Sequence, residues 1–484
     1  MRYPFLNKGE ADMRQRLNLG LCLIGLFCAG TGVSRAESLP CQPLKGIEAV
    51  FARPDVLTIW VGEMHGTYEM PALFADMVCA AGADGHPVVV VIERMADEEV
   101  FWRIFLDSEG GDQAKGTLLL GRQWSNQPQD GRGSAAMLDL ADHLRRLNQA
   151  GRPIDIDFAD RLFDPEKPRD AQMAQTVLAV RAKHPDARIL VFSGNLHAMK
   201  APPPGFQTAA SLLPTQEIIS VNILSETGKI WADIDGVVGE HAYSGDDHSR
   251  EIVSTPNNPA YDFAAYTGLP STPSPPALSE GLALIRPVFD AFAKVEAEQS
   301  QLPPATTDRE RLERMYDIDQ AGRDAAVKLD YGTLPAFQHQ PTLGAVAAEL
   351  DRYDWQNQTA LKAMMPREGW FLKSQYGAKA SKAAFLIVQH ATNDPDLMRL
   401  ALSRIELLVG KGEIDDAEYA LLYDRVALDF DHKPQRYGTQ VMCVAGKWLP
   451  KETEAPEHLD ERRKSVGLFS EADYLKFFAD HPCH

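Results

Sequence analysis

The run Pro87-Val-Val-Val-Val-Ile92 leaves few choices for the fold. An apolar, β-branched stretch of this length, ending in Glu93-Arg94, reads as a strand buried on both faces. A strand with no polar face needs helices above and below it. The surrounding sequence alternates accordingly. Residues 57–61 (LTIWV), 154–158 and 189–192 are further short strands, and 217–224 and 261–267 complete the set. Residues 71–81, 135–148 and 169–183 have helical spacing between them. Together they predict an α/β fold: a mainly parallel sheet with helices on both faces.

The character changes at Gly268-Leu-Pro-Ser-Thr-Pro-Ser-Pro-Pro276, where four prolines in nine residues continue neither strand nor helix. Beyond it, 277–299, 308–328, 342–355, 378–389, 397–409 and 415–425 all read as helices. The expected organisation is an α/β domain over 37–267, a Pro-rich linker over 268–279 and a mainly α-helical domain over 280–484.

The first 36 residues read as an address. Arg2, Lys8, Arg14 and Arg16 precede an apolar run over 17–29, followed by Ser34-Arg35-Ala36, the parts of a cleavable secretory signal. The run is short and Gly-rich for a permanent membrane span. The expected location is therefore periplasmic or secreted. The formal charge of −19 becomes −22 when residues 1–36, with five basic and two acidic side chains, are removed. Such an acidic chain lacks the basic face that nucleic acid requires. Export also changes the reading of cysteine. Cys41, Cys79, Cys443 and Cys483 remain, two near each end of the mature chain, and the pairing expected is Cys41–Cys79 with Cys443–Cys483. Four buried thiols are the alternative.

The chemistry lies at strand ends. Residues 57–61 run into Gly62-Glu63-Met64-His65-Gly66-Thr67-Tyr68-Glu69, residues 87–92 into Glu93-Arg94, and residues 189–192 into Ser193-Gly194-Asn195-Leu196-His197. Open parallel sheets place ligands at these carboxyl ends. Two imidazoles facing two carboxylates have three uses: general-base hydrolysis, binding of a divalent metal that activates water, or ligation of haem iron by His65 or His197. Glu93 after a wholly apolar strand is costly to bury without a partner, which points to a site. Arg94 reads as structural.

The Gly62-Glu63-x-His65-Gly66-Thr67-x-Glu69 block, Glu93, Arg169-Asp170-x-x-Met173-Ala174 and Gly194-Asn195-x-His197 stand in the order found in the erythromycin esterase-like family. With Tyr261-Asp262 and the following prolines, the chain resembles that family over residues 45–276. The family belongs with haem-binding ChaN-like and TIKI-type proteins. The resemblance implies a hydrolase of an ester, lactone or amide in a small molecule or peptide. His65 would be the general base, Glu63 and Glu93 would orient and polarise it, and His197 would be a second acid/base or oxyanion partner. Arg169 would hold site carboxylates or substrate. No cofactor is required on this reading. The ChaN-like branch implies haem or iron binding as the alternative, and a binding module without catalysis is a third. The longer helical elaboration that forms the macrolide cleft of erythromycin esterases has no room here.

The helical half carries Asp319-Gln320-x-x-Arg323, Gln389-His390, Asp424-Arg425 and Gln435-Arg436-Tyr437-Gly438-Thr439-Gln440. It resembles a bacterial domain family of unassigned function. These polar residues suit either a pocket or a buried hydrogen-bond network.

Overall fold

A computed structural model of the chain describes residues 41–125, 129–160, 164, 166–444 and 446–478. The expected signal segment and Cys483 lie outside the described residues. Within them the chain divides into two compact units: 38–287 with 329–348, and 288–328 with 349–484. The Pro-rich stretch alone would not reveal the return of 329–348 to the first unit. Gln338 holds it there, accepting from Gly281 N–H at 2.9 Å and donating to Glu280 at 3.0 Å.

In the first unit the strands are β1 (Thr58–Glu63), β2 (Val88–Met95), β3 (Ile154–Asp160), β4 (Arg188–Gly194), β5 (Ile218–Glu226), β6 (Gly228–Ile234), β7 (Val237–Tyr243), β8 (Glu251–Ser254) and β9 (Phe263–Pro270). Its helices are α1 (Glu69–Ala81), α2 (Glu99–Leu106), α3 (Asp112–Leu118), α4 (Ala135–Gln149) and α5 (Arg169–Lys183). Seven strands form one sheet in the order β3-β2-β4-β1-β5-β9-β8, parallel except for the edge strand β8. This is the mainly parallel sheet expected from the strand pattern.

The apolar run of β2 shows why both faces must be covered. Val88, Val90 and Ile92 join a core with Phe74, Leu140 and Leu144, while Val89 and Val91 join a second core with Met173 and Val177 on the other face. Register then aligns the strand ends. Glu63 pairs with Gly194 across β1 and β4, and Ile92 with Phe192 across β2 and β4, which puts Glu93 beside the same turn. Because β1 leads through α1 to β2 on one side, while β5 lies on its other side, the chain reverses its winding here, the topology at which open parallel sheets bind ligands.

The β6–β7 hairpin was not anticipated. Its strands are half exposed and too polar to stand out, yet the Asp235-Gly236 turn between them, with φ of 52° and 80°, is a known hairpin signal. The proline-rich stretch is not a free tether. Tyr68 N–H donates to Thr272 O at 3.2 Å, Ser274 N–H to Gly66 O at 2.9 Å and Ala135 N–H to Pro275 O at 2.8 Å. Prolines cannot donate but can accept, so the carbonyls of Thr272 and Pro275 and the N–H of Ser274 strap this segment across the end of β1 and the start of α4.

The second unit is mainly helical, with one antiparallel strand pair (Val441–Val444 and Lys447–Pro450); its longer helices are the rest of α6 (Ser279–Ser300), α7 (Asp308–Ala326), the rest of α8 (Ala336–Met364), α9 (Ala378–Gln389), α10 (Pro395–Glu406) and α11 (Asp416–Asp429). Leu312, Phe371, Phe385, Val388, Met398 and Leu422 form its core. Cys41 and Cys79 are joined, with Cα atoms 6.0 Å apart. Among the described residues no helix is long and apolar enough to cross a membrane.

Candidate active site

Glu93 is the hub of the strand-end cluster. It is 3% exposed, and both of its oxygens are occupied. Oε2 accepts from Gly194 N–H at 2.7 Å and faces His65 Nε2 at 3.4 Å. Oε1 accepts from Arg169 Nη2 at 2.6 Å and Arg132 Nη1 at 3.2 Å, and lies 3.8 Å from His197 Nε2.

Each imidazole is oriented through its other nitrogen. His65 Nδ1 donates to Glu63 Oε1 at 2.9 Å, and His197 Nδ1 donates to Asp170 Oδ1 at 2.7 Å. Arg169 Nη1 sits 3.3 Å from His197 Nε2. A guanidinium can only donate, so this contact gives His197 a lone pair at Nε2 and its proton at Nδ1. Arg169 itself is clamped by Asp160, with contacts of 2.9 and 2.7 Å.

Local sequence makes these approaches feasible. Gly62 lets the His197 turn lie against β1, since a Cβ there would stand 2.7 Å from Asn195 Cα. Tyr261 secures the turn by donating to Asn195 O at 2.9 Å. Gly66, at φ 79°, turns the His65 loop so that its carbonyl receives Trp231 and Ser274 N–H groups.

The electrostatics divide the two carboxylates that face His65. Burial would raise Glu93, but the charge and hydrogen bond of His65 and the charge of Arg169 outweigh it and hold the carboxyl well below the usual range. Burial raises Glu63, and the hydrogen bond from His65 only partly offsets that. For His65 itself, burial favours the neutral ring. The Glu93 charge and the Glu63 hydrogen bond overcome this and raise it to about 10. At neutral pH His65 is therefore an imidazolium held between acids, while Glu93 is ionised.

A Cβ built on Gly194 would lie 3.1 Å from His65 Nε2, 3.5 Å from Glu93 Oε2 and 3.7 Å from His197 Cδ2. The backbone of Gly194 thus lies close against both rings and Glu93, and any side chain there would press into the cluster.

Comparison with known proteins gives one family match and three distant structural likenesses. Residues 308–482 match a family model described as a family of unknown function, DUF6624. No curated protein matches the chain. Among solved structures the chain is similar to the type III effector HopBA1, at 15% identity, 49% of this chain, 99% of that one and a TM-score of 0.31. It is also similar to a mutant of the erythromycin esterase EreC in its open conformation (11% identity, 47% and 94% covered, TM-score 0.30) and to a Bacillus cereus protein (12%, 46% and 90%, 0.32).

The five side chains singled out in the sequence, Glu63, His65, Glu93, Arg169 and His197, come together in one cluster. Four others complete it: Asp130, Arg132, Asp160 and Asp170. Asp160 ends β3 and obeys the same strand-end rule that marked Glu93. Asp170 follows Arg169 directly. Arg132 and its partner Asp130, 2.6 Å away, sit in an irregular loop with no strand to announce it. Arg94 is structural: it is fully buried, stacks 4.1 Å from the Trp124 ring and props the loop by donating to Arg132 O at 2.6 Å.

Proposed function

We propose that this chain is an exported hydrolase of an ester, lactone or amide, with its active site around Glu93. The observation that carries this reading is the convergence of two imidazoles, from different strand-end loops, on one buried carboxylate, each ring oriented through Nδ1 by its own acid. The Cys41–Cys79 bond supports an oxidising compartment, periplasmic or extracellular.

The two rings take different roles. Once Arg169 Nη1 turns from His197 Nε2 to the substrate oxygen, the freed lone pair removes a proton from water while Asp170 steadies the imidazolium that forms. The water oxygen adds to the carbonyl carbon, and the oxyanion meets the guanidinium groups of Arg132 and Arg169. Collapse breaks the C–O or C–N bond, and His65, already protonated, gives its proton to the leaving atom. This differs from the role that family resemblance implies for His65, because an imidazolium raised to about 10 has no lone pair with which to act as a base.

Metal or haem ligation through these rings finds less support. Arg132 and Arg169 bring two positive charges to Glu93 Oε1, beside His197 Nε2. A cation there would be repelled.

Purified full-length protein assayed against nitrophenyl esters, lactones and short peptides tests the reading. His197→Ala and Glu93→Gln are expected to lower kcat by about 10²–10⁴ with circular dichroism unchanged. Undiminished turnover in both variants would overturn it. A Soret band on haem titration that disappears in His65→Ala or His197→Ala would instead favour haem binding.

A further inference from the structure

The helical unit gathers all four of its polar sequence motifs into one cluster. Helix α7 supplies Asp319 and Arg323, α8 supplies Asp354, His390 follows the end of α9, and Arg425 comes from α11. His390 Nδ1 donates to Asp319 Oδ1 at 3.0 Å. Arg323 Nε donates to His390 Nε2 at 3.2 Å, and its Nη2 spans both oxygens of Asp354 at 2.8 and 2.7 Å. The chain of contacts Asp354–Arg323–His390–Asp319 thus repeats the order Asp160–Arg169–His197–Asp170 of the α/β unit, on unrelated secondary structure. In both, an arginine fixed by one acid donates to an imidazole whose other nitrogen is fixed by a second acid.

The remaining motifs build the surroundings. Asp424 accepts from the N–H groups of Arg436, Tyr437 and Thr439 at 2.7, 2.9 and 2.9 Å, so it holds the loop 435–440 in shape. That loop presents Gln440, whose Oε1 accepts from Arg425 Nη2 at 3.1 Å. Arg425 Nη1 donates to Gln389 O at 3.0 Å, on the residue before His390. Both acceptors are neutral, and the buried Arg425 Nε finds no acceptor among the described residues. A half-buried guanidinium whose hydrogen bonds reach only neutral oxygens is suited to an oxyanion. Asp319, Asp354 and His390 have donor atoms within 4.8 Å of one another, as a cation site would need, but Arg323 already bonds to Asp354 and His390.

We propose that the helical unit carries a second ligand site, for a small molecule bearing a phosphate or carboxylate group, with Arg425 receiving the oxyanion beside His390, which Asp319 and Arg323 hold in place. Calorimetric titration of the full-length protein with inorganic phosphate and, separately, with acetate tests this and distinguishes the two sources. Saturable binding is expected in at least one arm, at least tenfold weaker in Arg425→Gln and unchanged in Arg132→Gln. No saturable binding in either arm, or equal binding by Arg425→Gln, would overturn the proposal. Should Arg425→Gln fail to fold, nitrogen-15 spectra of the wild-type His390 ring decide: a shift during the same titrations supports the site, and a ring unmoved up to saturation refutes it.

Discussion

Arg169 Nη2 donates to Glu93 Oε1 at 2.6 Å, joining the first residue of α5 to the end of β2. Through this contact Arg169, expected from the family resemblance to hold site carboxylates, joins a charge network anchored on buried Glu93. The same guanidinium reaches His197 and Asp160, so one side chain sets the geometry of three others. Arg169→Lys would keep the charge but lose the planar fork that makes these contacts together.

His65 gives the site a definite pH signature. Its pKa rises from 6.5 to about 10 in the folded protein, because Glu93 and Glu63 overcome the effect of burial. The stabilisation is fully present below pH 6.5 and is lost as pH rises through 10. Denaturant titrations are expected to lose roughly 1–3 kcal/mol between pH 7 and 10, and His65→Gln to flatten that slope. Turnover that depends on His65 as an acid should likewise decline as pH approaches 10. Turnover that rises through this range would reassign the ring as a base.

Gly194→Ala separates activity from stability. The backbone there, at φ −53° and ψ 143°, accepts any L-residue, yet the added methyl would stand 3.1 Å from His65 Nε2. Turnover is expected to fall at least tenfold, with a change in Tm of no more than about 2 °C. Full activity in the variant would place the reacting group elsewhere.

Cys79→Ser removes a cross-link between residues 38 apart in sequence. The expected cost is roughly 2–4 kcal/mol. Reductant should lower the denaturation midpoint of the wild type and leave that of the variant, by this route, unchanged.

Ser274, at 0% exposure, accepts from Ala136 N–H through Oγ at 2.9 Å and so caps α4, whose own N-cap residue Ser134 makes no side-chain cap. Ser274→Ala leaves that amide without its acceptor and is expected to cost about 1–2 kcal/mol by chemical denaturation. A neutral result would mean that the proline-rich strap contributes little to holding α4.

By itself the sequence determined the local order of this protein. The unbroken apolar run of β2 demanded cover on two faces, and the helices of the second unit were legible from their spacing: 378–389 was expected to be α9 and is, residue for residue. Strand ends also pointed to Glu63, His65, Glu93 and His197, because a parallel sheet exposes its carboxyl ends to ligands. Only tertiary structure decided which charges meet. Arg132 reaches Glu93 across 39 residues and Arg323 reaches His390 across 67, from elements with no periodic signal to connect them. The protonation of His65 was likewise undecidable from its neighbours in sequence, since it depends on burying two carboxylates around one ring. Periodicity is a property of adjacent residues and can be read from the chain; a pKa or an ion pair is a property of distances that exist only once the chain has folded.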